Sequence, residues 1–104
     1  MGNGSPQITT QTLSVLGAFR NGESVELSGA DIRRMTGLQS GSLYPILFRL
    51  EEAGWLTSRW EEGNPSELRR PRKRLYQISG AGVDAARAAA RNLSEKMGAL
   101  LWAN

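Results

Sequence analysis

The sequence predicts a mainly helical fold with a small β component (α+β), and three observations predict it. Leu43, Ile46, Leu47 and Leu50 recur at i, i+3, i+4 and i+7, the spacing of one buried helical stripe, and Gly54 closes that helix. Two short alternating stretches follow, flanking a loop with Arg69, Arg70, Arg72, Lys73 and Arg74, five of the chain's thirteen cations. Val83, Ala86, Ala90, Leu93, Met97 and Leu100 then step by 3, 4, 3, 4 and 3, an unbroken a/d heptad stripe. Helix, strand, basic loop and strand make the second half of a winged helix-turn-helix. The expected layout is a flexible start at 1–8, that domain at 9–79 and one long helix at 80–104.

A chain of 104 residues that is 39% apolar can bury one modest core and is not a disordered tail. It contains no cysteine, which excludes disulfides, thiolate metal sites and a thiol nucleophile. It contains no histidine either, so the commonest general base and metal ligand are missing. No nucleophile–base pair or metal cluster is visible, and the sequence calls for no enzyme activity and no cofactor. No apolar run approaches the ~20 residues that span a bilayer, and the expectation is a soluble, cytoplasmic protein. The net charge is only +3, but its placement is uneven. The first 68 residues carry a negative excess, and then five positives fall within six residues. Such a run is often a solvated loop; standing where a wing tip belongs, it points to a polyanion.

Taken in order, a first helix is expected over residues 9–20, with Leu13, Leu16 and Phe19 facing the core. Gly17 within it suggests close approach to another backbone, and Asn21-Gly22 ends the element. Val25 and Leu27 alternate with polar neighbours as a very short strand would. Ser28 and Asp31 have the spacing of a capping box, opening a brief helix with Ile32 and Met35 inward and Arg33 and Arg34 outward. Gly37 suits its left-handed end, with Leu38 folding back on it. The third helix starts at Ser40 or Ser42, and only a Ser42 cap leaves Pro45 in the first turn. Phe48 and Arg49 lie on its outer half. Strands are expected at residues 55–62 and 73–79, with Tyr76 and Ile78 inward and a loop at 63–71 between them. Ser79 caps the final helix.

A winged helix lays one helix in the major groove and a β-hairpin along the neighbouring backbone, so the front of that helix should be short or polar. Gln39, Ser40, Ser42, Tyr44 and Arg49 meet the need, since hydroxyls bond phosphates or base edges and arginine can grip guanine twice. Arg70, Arg72, Lys73 and Arg74 are the wing residues expected on phosphates. The plainer roles are packing for Tyr44 and capping for Ser40. Double-stranded DNA is thus the expected partner. A stripe two residues wide in seven is narrower than a helix needs to cover a core, and it is the width of a seam between helices. Val83, Ala86, Ala90, Leu93, Met97, Leu100 and Leu101 are therefore the expected homodimer interface, and a two-fold dimer calls for a near-palindromic site. The competing reading is an adaptor of the same fold whose arginine loop docks an acidic protein. Wing and third helix on one basic face favour DNA; scattered charge favours the adaptor.

The segments GSLYP (41–45), RLEEAGWL (49–56), SRW (58–60) and RKRLYQIS (72–79), followed by Gly82, resemble the PadR family of bacterial transcriptional regulators. The resemblance runs from about Leu13 into the final helix, whose single copy is similar to the family's short branch. It implies a winged-helix DNA-binding regulator, here read as a repressor, with the terminal helix as the dimerisation element. Leu75 stands where an aromatic is more usual, and the loop at 63–71 is longer and richer in arginine. The seam is rich in alanine where some short members carry aromatics that sandwich flat ligands, so a small-molecule effector is left open.

Overall fold

The computed structural model describes residues 6–102, so the expected flexible start at 1–8 falls mostly outside the described residues. The elements are α1 (Thr10–Gly17), β1 (Leu27–Ser28), α2 (Gly29–Thr36), α3 (Ser40–Glu52), β2 (Leu56–Trp60), α4 (Pro65–Leu68), β3 (Arg74–Ile78) and α5 (Gly80–Trp102). The sheet is antiparallel with order β1-β3-β2. This is the expected mainly helical winged helix-turn-helix followed by a long helix.

Thr9 caps α1 by accepting from the Thr12 amide at 3.1 Å. The helix stops at Gly17, three residues short of the expected end. Residues 18–20 instead close tighter i→i−3 bonds, such as Phe19 N–H to the Leu16 carbonyl. That tightening turns Val15, Leu16, Ala18 and Phe19 into the core, while Leu13 is only half-buried. Gly17 does not mark a close approach, since a Cβ there would meet nothing within 4 Å.

α2 carries the expected capping box in full. Ser28 Oγ accepts from the Asp31 amide at 3.1 Å, and Asp31 Oδ2 accepts from the Ser28 amide at 2.9 Å. Gly37 closes the helix at φ 75°, with its amide on the Arg33 carbonyl. Ile32 is fully buried, but Met35 is 43% exposed and not inward as expected. In a two-turn helix Ile32 and Leu38 fill the contact, and Met35 falls past its edge.

α3 begins at Ser40, with Gln39 at the cap position and no side-chain cap bond, so neither serine caps it. Pro45 consequently lies beyond the first turn, where it leaves the Gly41 carbonyl without its helical partner. Leu43, Ile46, Leu47 and Leu50 are all buried, as the stripe predicted. The helix ends in a Schellman motif: Trp55 N–H donates to the Leu50 carbonyl, and Gly54 N–H, at φ 78°, to the Glu51 carbonyl.

In the hairpin, Leu56 pairs with Ile78, Ser58 with Tyr76 and Trp60 with Arg74. Leu56, Tyr76 and Ile78 enter the core. The connection is not the plain loop expected. Asn64 accepts from the Ser66 amide at 2.8 Å and starts the one-turn helix α4, which Arg69 ends in a left-handed conformation at φ 61°. Ser79 Oγ accepts from the Gly82 amide at the start of α5. Val83 and Ala86 then pack against the chain's own core, while Leu93 (48% exposed), Met97, Leu100 and Leu101 stand free. This projection stretches the molecule to 63 Å along its longest axis. No helix among the described residues is long and apolar enough to cross a membrane.

Candidate nucleic-acid interface

The start of α2, the outer face of α3 and the root of the wing enclose a groove of about 440 Å³. It is lined by Gly29 and Ala30 of α2, Tyr44 of α3, and Trp60, Arg72, Lys73 and Arg74 of the wing. The antiparallel register decides this. Trp60 faces Arg74 across the hairpin, and the residues just before Arg74 follow it to the same edge. Four of the nine residues expected at a DNA surface, Tyr44, Arg72, Lys73 and Arg74, therefore share one opening. Gln39 lines a neighbouring groove of about 400 Å³ with Arg33 and Arg34. Ser40 and Arg49 are exposed on α3, Ser42 is half-buried there, and none of the three lines either groove.

The wing cations are not alike. Arg70 holds Glu61 with both terminal nitrogens, at 2.6 and 3.0 Å, and the Lys73 amide adds a third bond at 3.2 Å. Those bonds, that from Arg70 foremost, lower the Glu61 carboxyl from 4.5 to about 2. Arg74 is engaged too. Its Nε donates to Ser58 Oγ at 3.0 Å, and its guanidinium carbon lies 5.1 Å from the centre of the Trp60 ring. Arg72 and Lys73 are exposed and have no side-chain ion pair among the described residues. The side chains available to a phosphate on this face are therefore fewer than the five clustered cations suggest.

Several residues shape this surface without being among those expected on DNA. Gly29 lets the Tyr44 ring come close, and Glu61, Glu51, Ser58 and Trp60 fix the wing arginines. Arg59 grips Glu26 with two bonds of 2.6 and 2.7 Å, which ties the outer strand to the segment before β1. The Glu26 carboxyl is lowered by that grip. Burial pushes the Tyr76 hydroxyl up, and the nearby Glu51 charge pushes it further the same way. Alternation along β2 puts Ser58 and Trp60 on one face. Their arginine partner needed the register.

The family model of the transcriptional regulator PadR-like family matches residues 25–88, the span from β1 through the first turns of α5. A comparison with curated proteins gives no match. Among solved structures, a PadR family transcriptional regulator from Eggerthella lenta is 24% identical with a TM-score of 0.67, over 91% of this chain and 84% of that one. A transcriptional regulator from Clostridium thermocellum is 18% identical with a TM-score of 0.67, over 91% and 93%. Bacillus subtilis PadR in complex with operator DNA is 22% identical with a TM-score of 0.65, over 79% of this chain and 48% of that one. These likenesses show the fold.

Proposed function

The chain belongs to the PadR-like family of transcriptional regulators, and from that membership we propose that it is a sequence-specific repressor that binds a near-palindromic operator as a homodimer. The observation that carries the proposal is the groove itself. Tyr44 from α3 and Arg72 and Lys73 from the wing open on one face, the arrangement that favours DNA over an acidic protein partner. α3 enters the major groove, where Gln39, Ser40, Ser42, Tyr44 and Arg49 meet base edges and nearby phosphates. The wing lies along the backbone, and Arg72 and Lys73 neutralise phosphates without reading sequence. The Bacillus subtilis protein, similar in fold, was solved in complex with operator DNA, which supports DNA as the partner.

The free outer part of α5 supports the dimer. Val83 and Ala86 are half-buried at its root, Ala90 lines a groove beside α1, and Leu93, Met97, Leu100 and Leu101 continue outward exposed. A contiguous apolar stripe of this kind marks a protein contact, and its width suits a second copy. Two-fold pairing sets the recognition helices ~34–36 Å apart, one turn of DNA. Selection of bound fragments from the source genome, read by sequencing, tests the proposal. The expected result is one enriched inverted repeat with half-sites about one turn apart; recovery of unrelated fragments in proportion to their abundance contradicts it.

A further inference from the structure

Three elements meet at one hydroxyl. Ser58 Oγ on β2 donates to Glu51 Oε2 at the end of α3, at 2.6 Å, and accepts from Arg74 Nε on β3, at 3.0 Å. Arg74 Nη2 lies 3.7 Å from the same Glu51 oxygen, and the guanidinium rests on Trp60. The donors and acceptors are consistent, since the single Ser58 proton goes to the carboxylate and a lone pair receives the arginine. Backbone ladders fix β2 to β3, and Leu56, Tyr76 and Ile78 pack the hairpin root into one core with the α3 stripe; beyond that root, the Ser58 cluster is the polar tie between the hairpin and α3. The Glu51 and Arg74 side chains are each 37% exposed, so the pair alone contributes little stability. Its geometric effect is larger, because it joins the helix that reads bases to the strand that leads out of the wing.

We infer that Arg74 is a positioning residue, which through Ser58 and Glu51 sets the angle of the wing against α3 and does not itself hold a phosphate. The inference rests on the DNA-binding reading for its consequence, while the angle it concerns exists in the free protein. A wing held at one angle delivers Arg72 and Lys73 to the backbone while α3 lies in the groove. A wing released from Glu51 must be ordered when DNA binds, and affinity falls by that cost.

Charge makes the alternatives separable. If Glu51 is a bystander, Glu51→Ala removes a negative charge near DNA and tightens binding. If it holds the wing, the same change weakens binding. Arg74→Lys keeps the charge and suits a phosphate ligand, but lysine cannot take the Ser58 bond and cover Trp60 together. The expected result is that Glu51→Ala, Ser58→Ala and Arg74→Lys each weaken the selected operator at least fivefold. The salt slope stays unchanged, and the double variant Glu51→Ala with Arg74→Lys is no worse than either single one. Tighter binding by Glu51→Ala, or near-wild-type binding by Arg74→Lys, overturns the inference. The chain has no cysteine, so spin labels placed through Glu52→Cys and Ser66→Cys report only the helix-to-wing distance. Read without DNA, that distance should be narrowly distributed, and Ser58→Ala should broaden or shift it. An unchanged distribution overturns the inference whether or not the wild-type protein binds DNA.

Discussion

Tyr44 lies so close to the backbone of Gly29 that a Cβ at residue 29 would stand 2.9 Å from its Cζ and nearer still to its hydroxyl. The first residue of α2 therefore sets how far this ring leans over the groove beside the wing. Gly29→Ala should cost less than about 1 kcal/mol, because the ring is 45% exposed and can swing away, and alanine suits a helix better. The displaced ring should instead alter preference at particular operator positions. Urea midpoints and competition binding check the two effects, and an unaltered preference argues that Tyr44 only packs.

Gly82 is the contrasting case. A Cβ there would overlap the carbonyl oxygen of Trp55 and come within 2.7 Å of Ile78 Cγ1. Backbone cannot swing aside, so Gly82→Ala should destabilise the fold by ~1–3 kcal/mol as α5 lifts from the sheet. Chemical denaturation measures it, and a midpoint equal to wild type contradicts the docking described.

The Glu61 carboxyl, lowered from 4.5 to about 2, gives a pH signature with a definite sign. A carboxyl depressed on folding contributes in full above its ordinary value, and the contribution fades as pH falls through the folded one. The Arg70 pair should thus persist at pH 3.5 and open only as pH approaches 2. Carboxyl carbon shifts in NMR follow it directly. Arg70→Ala should return Glu61 toward 4.5; titration near 4.5 in the wild type contradicts the ion pair.

Leu93, 48% exposed within its own chain, sits mid-seam in the proposed dimer. Leu93→Glu would bury an unpaired charge between two helices, a cost of several kcal/mol. Sedimentation should show monomer or unfolded chain, with operator affinity lost in either case. A surviving dimer with intact DNA binding moves the interface elsewhere.

Much of this architecture is legible in the residue pattern. The α3 stripe, the Ser28–Asp31 capping box and the Gly37 and Gly54 stops each depend on neighbours within one or two turns, and each appears as read. Errors arose where a local signal admits two outcomes. The stretch at 63–71 has loop composition, yet an Asx cap at Asn64 before Pro65 also starts a helix, and α4 takes that course. Met35 had the right spacing for the core, but α2 is too short to bring it there. The arginine run was visible, whereas its division was not. Which cations are engaged depends on Arg70 reaching Glu61 nine residues away and Arg74 reaching Ser58 sixteen away. Strand register supplies the second pairing, and the course of the wing through α4 and the left-handed Arg69 supplies the first.

The central claim is that α3 and the wing together bind duplex DNA through phosphates. Its most direct test is the affinity of the wild-type protein for its selected operator as salt is raised. Arg72 and Lys73 on both subunits, with Arg49, helix hydroxyls and backbone amides, are expected to engage ~6–10 phosphates across a dimer. Affinity should then fall by about three to five decades between 50 and 200 mM salt, on a straight double-logarithmic line. A flat line, or no binding at the lowest salt, contradicts the account.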